Sequence, residues 1–125
     1  MSDYIQVGSV PANVTWSVVR GDTATLLVNF LEDDQKTAKD TSSWTFSASA
    51  YNQRTETRYT LDTEASPGSV IIIADPDTTE EWGTGVAPVV AQLTYDLQVI
   101  LEEGVVWTPI VGSINVIGDV TGATL

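Results

Sequence analysis

Cysteine and histidine are both missing from this chain. Their absence removes zinc sites of the Cys/His type, thiol catalysis and every triad or acid–base pair that depends on imidazole. It also fits a reducing compartment, or assembly within one. Basic residues are scarce: five Lys and Arg stand against seventeen Asp and Glu, a formal net charge of -12. A free-standing nucleic-acid binder needs the opposite balance. The acidity keeps the free protein soluble, either until it meets a partner or with no further role. Long apolar runs are absent as well, and no segment approaches the ~20 residues that a membrane-spanning helix requires. Met1-Ser2-Asp3-Tyr4 lacks the basic start and apolar stretch of a secretion signal, so synthesis and folding in a cytoplasm are expected.

What is present suffices for one domain. The chain has 125 residues, 42% of them hydrophobic, enough to bury a core without metals or disulfides. Residues 1–12 have no clear period and are expected to form an N-terminal arm that packs on the domain or on a neighbour. Residues 13–121 read as the domain, and 122–125 as a short tail. Val14–Val19 is a first strand. Ala24, Leu26, Val28 and Phe30 share one face of a second, and Trp44, Phe46, Ala48 and Ala50 one face of a third. Tyr59 and Leu61 lie together on a short strand. Ser66-Pro67-Gly68-Ser69 has the Pro and Gly of a type II turn. Val70-Ile71-Ile72-Ile73 is apolar on both faces and predicts a central, closely flanked strand. Thr78 to Glu81 matches a capping box, but Gly83 and Gly85 limit it to one helical turn. About seven short strands separated by turn signals predict an all-β fold, a single immunoglobulin-like β-sandwich.

The longest pattern is the closing hairpin, Val89–Asp119. Ala91, Leu93, Tyr95, Leu97 and Val99 alternate with Gln92, Thr94, Asp96 and Gln98. Two registers are open. A three-residue loop closes Leu101 on Val105 and sets Leu93 opposite Ser113. A four-residue loop closes Leu101 on Val106 and sets Leu97 opposite Ile110, Leu93 opposite Ile114 and Ala91 opposite Val116. Apolar cross-strand pairs favour the second, and Gly104 supplies a left-handed position in either. That register turns Ile100, Trp107, Pro109 and Val111 outward. An outward Trp needs a cover, either the N-terminal arm or a partner, and Trp is enriched at interface anchors. These four residues are the candidate protein interface. Trp44 reads as core, while Trp16 and Trp82 cover the ends.

Other motifs have plain structural readings. Arg20-Gly21-Asp22 spells an adhesion tripeptide, but a Gly bend tethered by Asp before a strand explains it. Asn13-Val14-Thr15 is a sequon without a secretion signal. The pairs Asp33/Asp34, Asp75/Asp77, Glu80/Glu81 and Glu102/Glu103 lack the ligand alternation of a calcium loop. A glycosidase needs two carboxyls facing each other across a cleft; sequence neighbours on a strand point apart, so any such pair would have to form between loops. Gly83-Thr84-Gly85 and Gly118–Gly122 precede no helix and carry no phosphate-binding lysine. No catalytic residue, metal site or cofactor is expected.

Trp16-Ser17-Val18-Val19-Arg20-Gly21-Asp22-Thr23, followed by Phe30-Leu31-Glu32-Asp33-Asp34, resembles the opening of small β-sandwich proteins from tailed-phage virions. Tyr95-Asp96-Leu97-Gln98-Val99 and Val106-Trp107-Thr108-Pro109-Ile110-Val111-Gly112-Ser113-Ile114 resemble their closing hairpin. The family suggested is the collar, or L-shaped tail-fibre attachment, β-sandwich family, with relatives among minor tail proteins of long-tailed phages. The Gly-Asp-Thr start is also similar to baseplate upper-protein domains. The resemblance spans roughly residues 14–120. It implies a non-enzymatic subunit of the tail, arranged in a ring-like homo-oligomer and holding fibres or neighbouring virion proteins, with no nucleic-acid or membrane partner. A head decoration or head-to-tail joining protein is the structural alternative. A carbohydrate-binding module using Trp107, Trp82 and Tyr59 is the alternative from another class; it would leave aromatics open in a groove.

Overall fold

The structure is a computed structural model that describes residues 11–31, 36–37, 40–83, 89–101 and 104–118. It is all-β. Among the described residues eight strands form one curled, mixed sheet: β1 (Ala12–Asn13), β2 (Trp16–Val19), β3 (Ala24–Asn29), β4 (Thr45–Asn52), β5 (Thr57–Ser66), β6 (Ser69–Ala74), β7 (Ala91–Ile100) and β8 (Val106–Ile117). Among the described residues a single short helix, α1 (Pro76–Glu80), follows β6. The sheet order is β1-β8-β7-β4-β5-β6-β3, and β2 also pairs with β8.

Alternation explains most of these strands. Ala24, Val28 and Phe30 are buried on β3 and its end, Ala48 and Ala50 on β4, and Leu93, Tyr95, Leu97 and Val99 on β7. With half-buried Leu26 between Ala24 and Val28, each set recurs at every second residue, so a single pleat delivers it to the core. β6 lies between β5 and β3 and buries Val70, Ile72 and Ala74, while Ile71 and Ile73 are half-buried. Its all-apolar run is therefore used on both faces. Ser66 pairs with Ser69 across the Pro67-Gly68 turn. Gly68 has φ 76°, the left-handed value that this turn demands and that glycine reaches without steric penalty.

Long-range topology completes the curl. β5 is the longest strand on its side; Thr57–Leu61 pairs with β4, and Asp62–Ser66 pairs with β6. β1 and β2 run parallel to β8, with Ala12 opposite Ile110 and Trp16 opposite Ile114. Ala12 thus belongs to the sheet, where the sequence suggested the end of an arm. Residues 1–10 and 119–125, which include most of the expected arm and all of the tail, lie outside the described residues. Val14 bridges β1 and β2, its N–H donating to the Val111 carbonyl at 2.9 Å. A Cβ on Gly112 would stand 1.9 Å from the Val14 carbonyl oxygen. The crossing is possible only because Gly112 has no side chain. The Tyr95 hydroxyl donates to the same carbonyl at 2.8 Å.

The helix begins earlier than the sequence suggested. Asp75 is the N-cap, its carboxylate accepting from the Thr78 N–H at 2.8 Å, and Pro76 occupies the first turn. Thr78 therefore lies inside α1 and does not cap it. The Asp-Pro pair outcompetes the Thr-to-Glu81 box because Pro at the first helical position is already set to helical φ.

Candidate functional site

The closing hairpin uses both registers weighed above. In its body, Ala91 faces Val116, Leu93 faces Ile114 and Leu97 faces Ile110, the register of a four-residue loop. At its tip, Val99 faces Trp107 and Ile100 faces Val106, and the Leu101 N–H donates to the Val105 carbonyl at 2.9 Å. That is the register of a three-residue loop. From Leu97 to Val99 the chain advances two residues on β7, while its partners run three residues, from Ile110 to Trp107, on β8. One extra residue is accommodated at Thr108–Pro109. A proline cannot donate to a ladder, so a bulge is where a strand tolerates it.

The bulge inverts the expected orientation of the tip. Trp107 is 5% exposed and packs with Phe30 and Trp44 at ring separations of 6.2 Å each. Phe30 in turn meets Trp44 at 5.2 Å and Phe46 at 5.8 Å. Pro109 is fully buried. Neither residue can belong to an outward strip, which corrects the sequence expectation for both. Ile100 does face outward, and Val111 is half-buried on the outer face. The apolar residue beside Ile100 is Val106, 57% exposed, with Val105 next to it and also exposed. Val105 and Val106 were missed because the alternation was carried through Pro109 without a break.

Below this tip the outer face turns polar. Cross-strand pairing sorts it into rows. Ile100 and Val106 form an apolar pair at the tip, with Thr45 beside Ile100 in the same row. Ser47 and Gln98 form the next. Ser49, Asp96, Val111 and Asn13 follow, then Arg58, Tyr51, Thr94 and Ser113. The three polar rows line an open groove of about 690 Å³, within the size range of small-ligand sites. Arg58 Nη2 donates to Ser49 Oγ at 3.2 Å, which orients the guanidinium over the face. Tyr51 is 40% exposed there. The aromatics suggested for glycan contact are elsewhere: Trp82 and Trp107 are buried, and Tyr59 is half-buried against Trp82 at 6.0 Å.

The adhesion-like tripeptide is locked into the fold. Arg20 is 4% exposed; its Nη2 meets Glu80 Oε1 at 2.7 Å, and its Nε donates to the Gly83 carbonyl. Thr79 Oγ1 accepts from the Gly21 N–H at 3.0 Å and donates to the Asp22 carbonyl at 2.8 Å. The Arg20 side chain therefore pins α1 over the β2–β3 turn and is not presented to solvent. Among the described residues no group of three or more Asp and Glu is placed to hold a metal ion.

Protonation follows local contacts. The Asp75 carboxyl is held below its usual range by hydrogen bonds from Thr78, and Asp40 is held low by its bonds from Ser42. Burial raises the Tyr95 phenol, while burial and then the nearby Glu81 charge raise that of Tyr59. The carboxyl shifts belong to a helix cap and a turn, and the phenol shifts to packed rings, so none marks an acid–base catalyst. No family model matches this chain, and no characterised protein is significantly similar to it.

Proposed function

We propose that this chain is a non-enzymatic structural subunit of a tailed-phage virion, a tail-tip or collar adaptor that binds neighbouring proteins and copies of itself in a ring. The residues quoted above that resemble phage β-sandwich proteins support that setting. The observation that carries the adaptor reading is the exposed apolar tip of the hairpin, Ile100, Val105 and Val106, on a chain of net charge -12. Apolar cross-strand neighbours left in water favour a partner that covers them.

The finer fold reading belongs with this proposal. The strand orders β3-β6-β5 and β4-β7-β8, with β5 passing from one to the other, support reading the curled sheet as the two layers of an immunoglobulin-like sandwich. The parallel pairing of β2 with β8 then places an early strand on the second sheet. The hairpin tip would project from one end of such a sandwich, where loops meet partners.

Immunogold electron microscopy on particles of a phage whose genome encodes the chain tests the setting. Label at the tail tip or collar is expected. Label on the capsid or at the head–tail junction would favour a decoration or joining protein, and unlabelled particles would exclude a virion role. The double variant Ile100→Ser, Val106→Ser tests the contact: it should melt like the wild type and fail to incorporate into particles. Normal incorporation would remove the tip from the interface.

A further inference from the structure

We infer that the polar groove on the outer face of β4, β7 and β8 binds a neutral oligosaccharide chain. This site is separate from the apolar tip and does not rest on the adaptor reading.

The argument begins with charge. Among the described residues, the groove lining holds one cation, Arg58, and one anion, Asp96, in a chain whose net charge is -12. Among these lining residues the charge is balanced. Polyanions such as nucleic acid would find one guanidinium in a negative field and no run of phosphate contacts. A strongly basic peptide would find one carboxylate. Local balance suits a ligand with no net charge.

Chemistry narrows the choice. Protein interfaces are built on apolar anchors in dry pockets, and on this face the exposed ones, Ile100, Val105 and Val106, collect at the hairpin tip outside the groove, whose Val111 is half-buried. The groove instead offers hydroxyls from serines and threonines, the amide of Gln98, the Asp96 carboxylate and the Arg58 fork. These side chains alternate donors and acceptors over short distances. Rows repeat at about 7 Å along the strands and side chains at about 4.8 Å across them. A ligand that presents closely spaced hydroxyls in every direction matches that lattice. Tyr51 adds an exposed ring with an apolar face and a polar tip, the kind of surface on which the C–H face of a sugar ring rests. The open groove of about 690 Å³ has room for a few linked rings.

The test is an NMR titration of the full-length protein, following backbone amides. The neutral probes are malto-, cello-, galacto- and N-acetylchito-hexaoses; the anionic comparison is a heparin-derived hexasaccharide. At least one neutral probe should shift amides of Tyr51, Thr94, Asp96, Gln98 and Ser113 in a saturable manner at millimolar concentration or below. Tyr51→Ala should keep the fold, since the residue lies outside the buried core, and weaken binding about tenfold or more. The Ile100→Ser, Val106→Ser variant should bind as the wild type does, so loss of assembly and loss of sugar binding can be told apart. No groove shift with any neutral probe would overturn the proposal. So would preference for the anionic probe, or unchanged affinity in Tyr51→Ala.

Discussion

The body and the tip of the β7–β8 hairpin are one continuous ladder read in two registers. In the body, Leu93, Leu97, Ile110 and Ile114 are buried and pair as unbroken alternation requires. At the tip, one extra residue at Thr108–Pro109 reverses the parity of β8, so Trp107 turns in and Val106 turns out. A strand carries its orientation by counting, and a single bulge changes every count beyond it. The apolar surface that the sequence located at Trp107 and Pro109 therefore exists, but at Val105 and Val106, with Ile100 common to both.

Trp107→Ala breaks the tip most severely. The ring is buried beside Phe30 and Trp44, and truncating a buried Trp costs about 3–5 kcal/mol. Chemical denaturation should show a loss of that size, with the midpoint moved and the slope retained. A near-native midpoint would return Trp107 to the surface and restore the unbroken register.

The body has its own sensitive position. Gly112→Ala puts a methyl group against the Val14 carbonyl, and a backbone atom cannot swing away as a side chain can. The expected loss is about 1–3 kcal/mol or more, as for overpacked cores. It should appear first as faster hydrogen exchange at Val14 and along the β2–β8 ladder, with the hairpin tip unaffected. Exchange that quickens at Trp107 before it quickens at Val14 would mean that body and tip are one cooperative unit.

These two sites also mark how far the sequence was legible. Alternation located β3, β4, β7 and the body of β8, and the Pro67-Gly68 turn, because those signals are local and periodic. The parallel pairing of β1 and β2 with β8 joins residues nearly a hundred positions apart and leaves no local trace except Gly112. Pro109 did carry a signal: a proline inside a ladder argues for a bulge. The polar residues of the groove were visible as the wet half of each alternation. Their assembly into rows depends on the register of four strands, which no single strand records. Arg20 was legible as a turn residue but not as a buried one, since its partners Glu80 and Gly83 come from the α1 region.

The smallest effect lies away from the hairpin, and it sharpens the comparison by supplying a control that should disturb neither register. Asp75 caps α1 through the Thr78 N–H, and this bond holds its carboxyl below the usual range. A carboxyl whose folded pKa lies below its unfolded value binds its proton more readily in the unfolded chain. Its contribution is therefore fully present above the unfolded value, about 3.9, and is lost as pH falls through the folded value. Other carboxylates also titrate in acid, so the raw pH profile of the wild type mixes their effects with that of the cap. Asp75→Asn separates them, because Asn also caps helices but does not titrate. The stability difference between wild type and Asp75→Asn should be constant at neutral pH and drift toward the variant below about pH 4. Amide shifts at Val99, Trp107 and Gly112 should stay in place throughout. A difference that remains flat into acid would mean that the Asp75–Thr78 bond does not depend on the charge of the carboxylate.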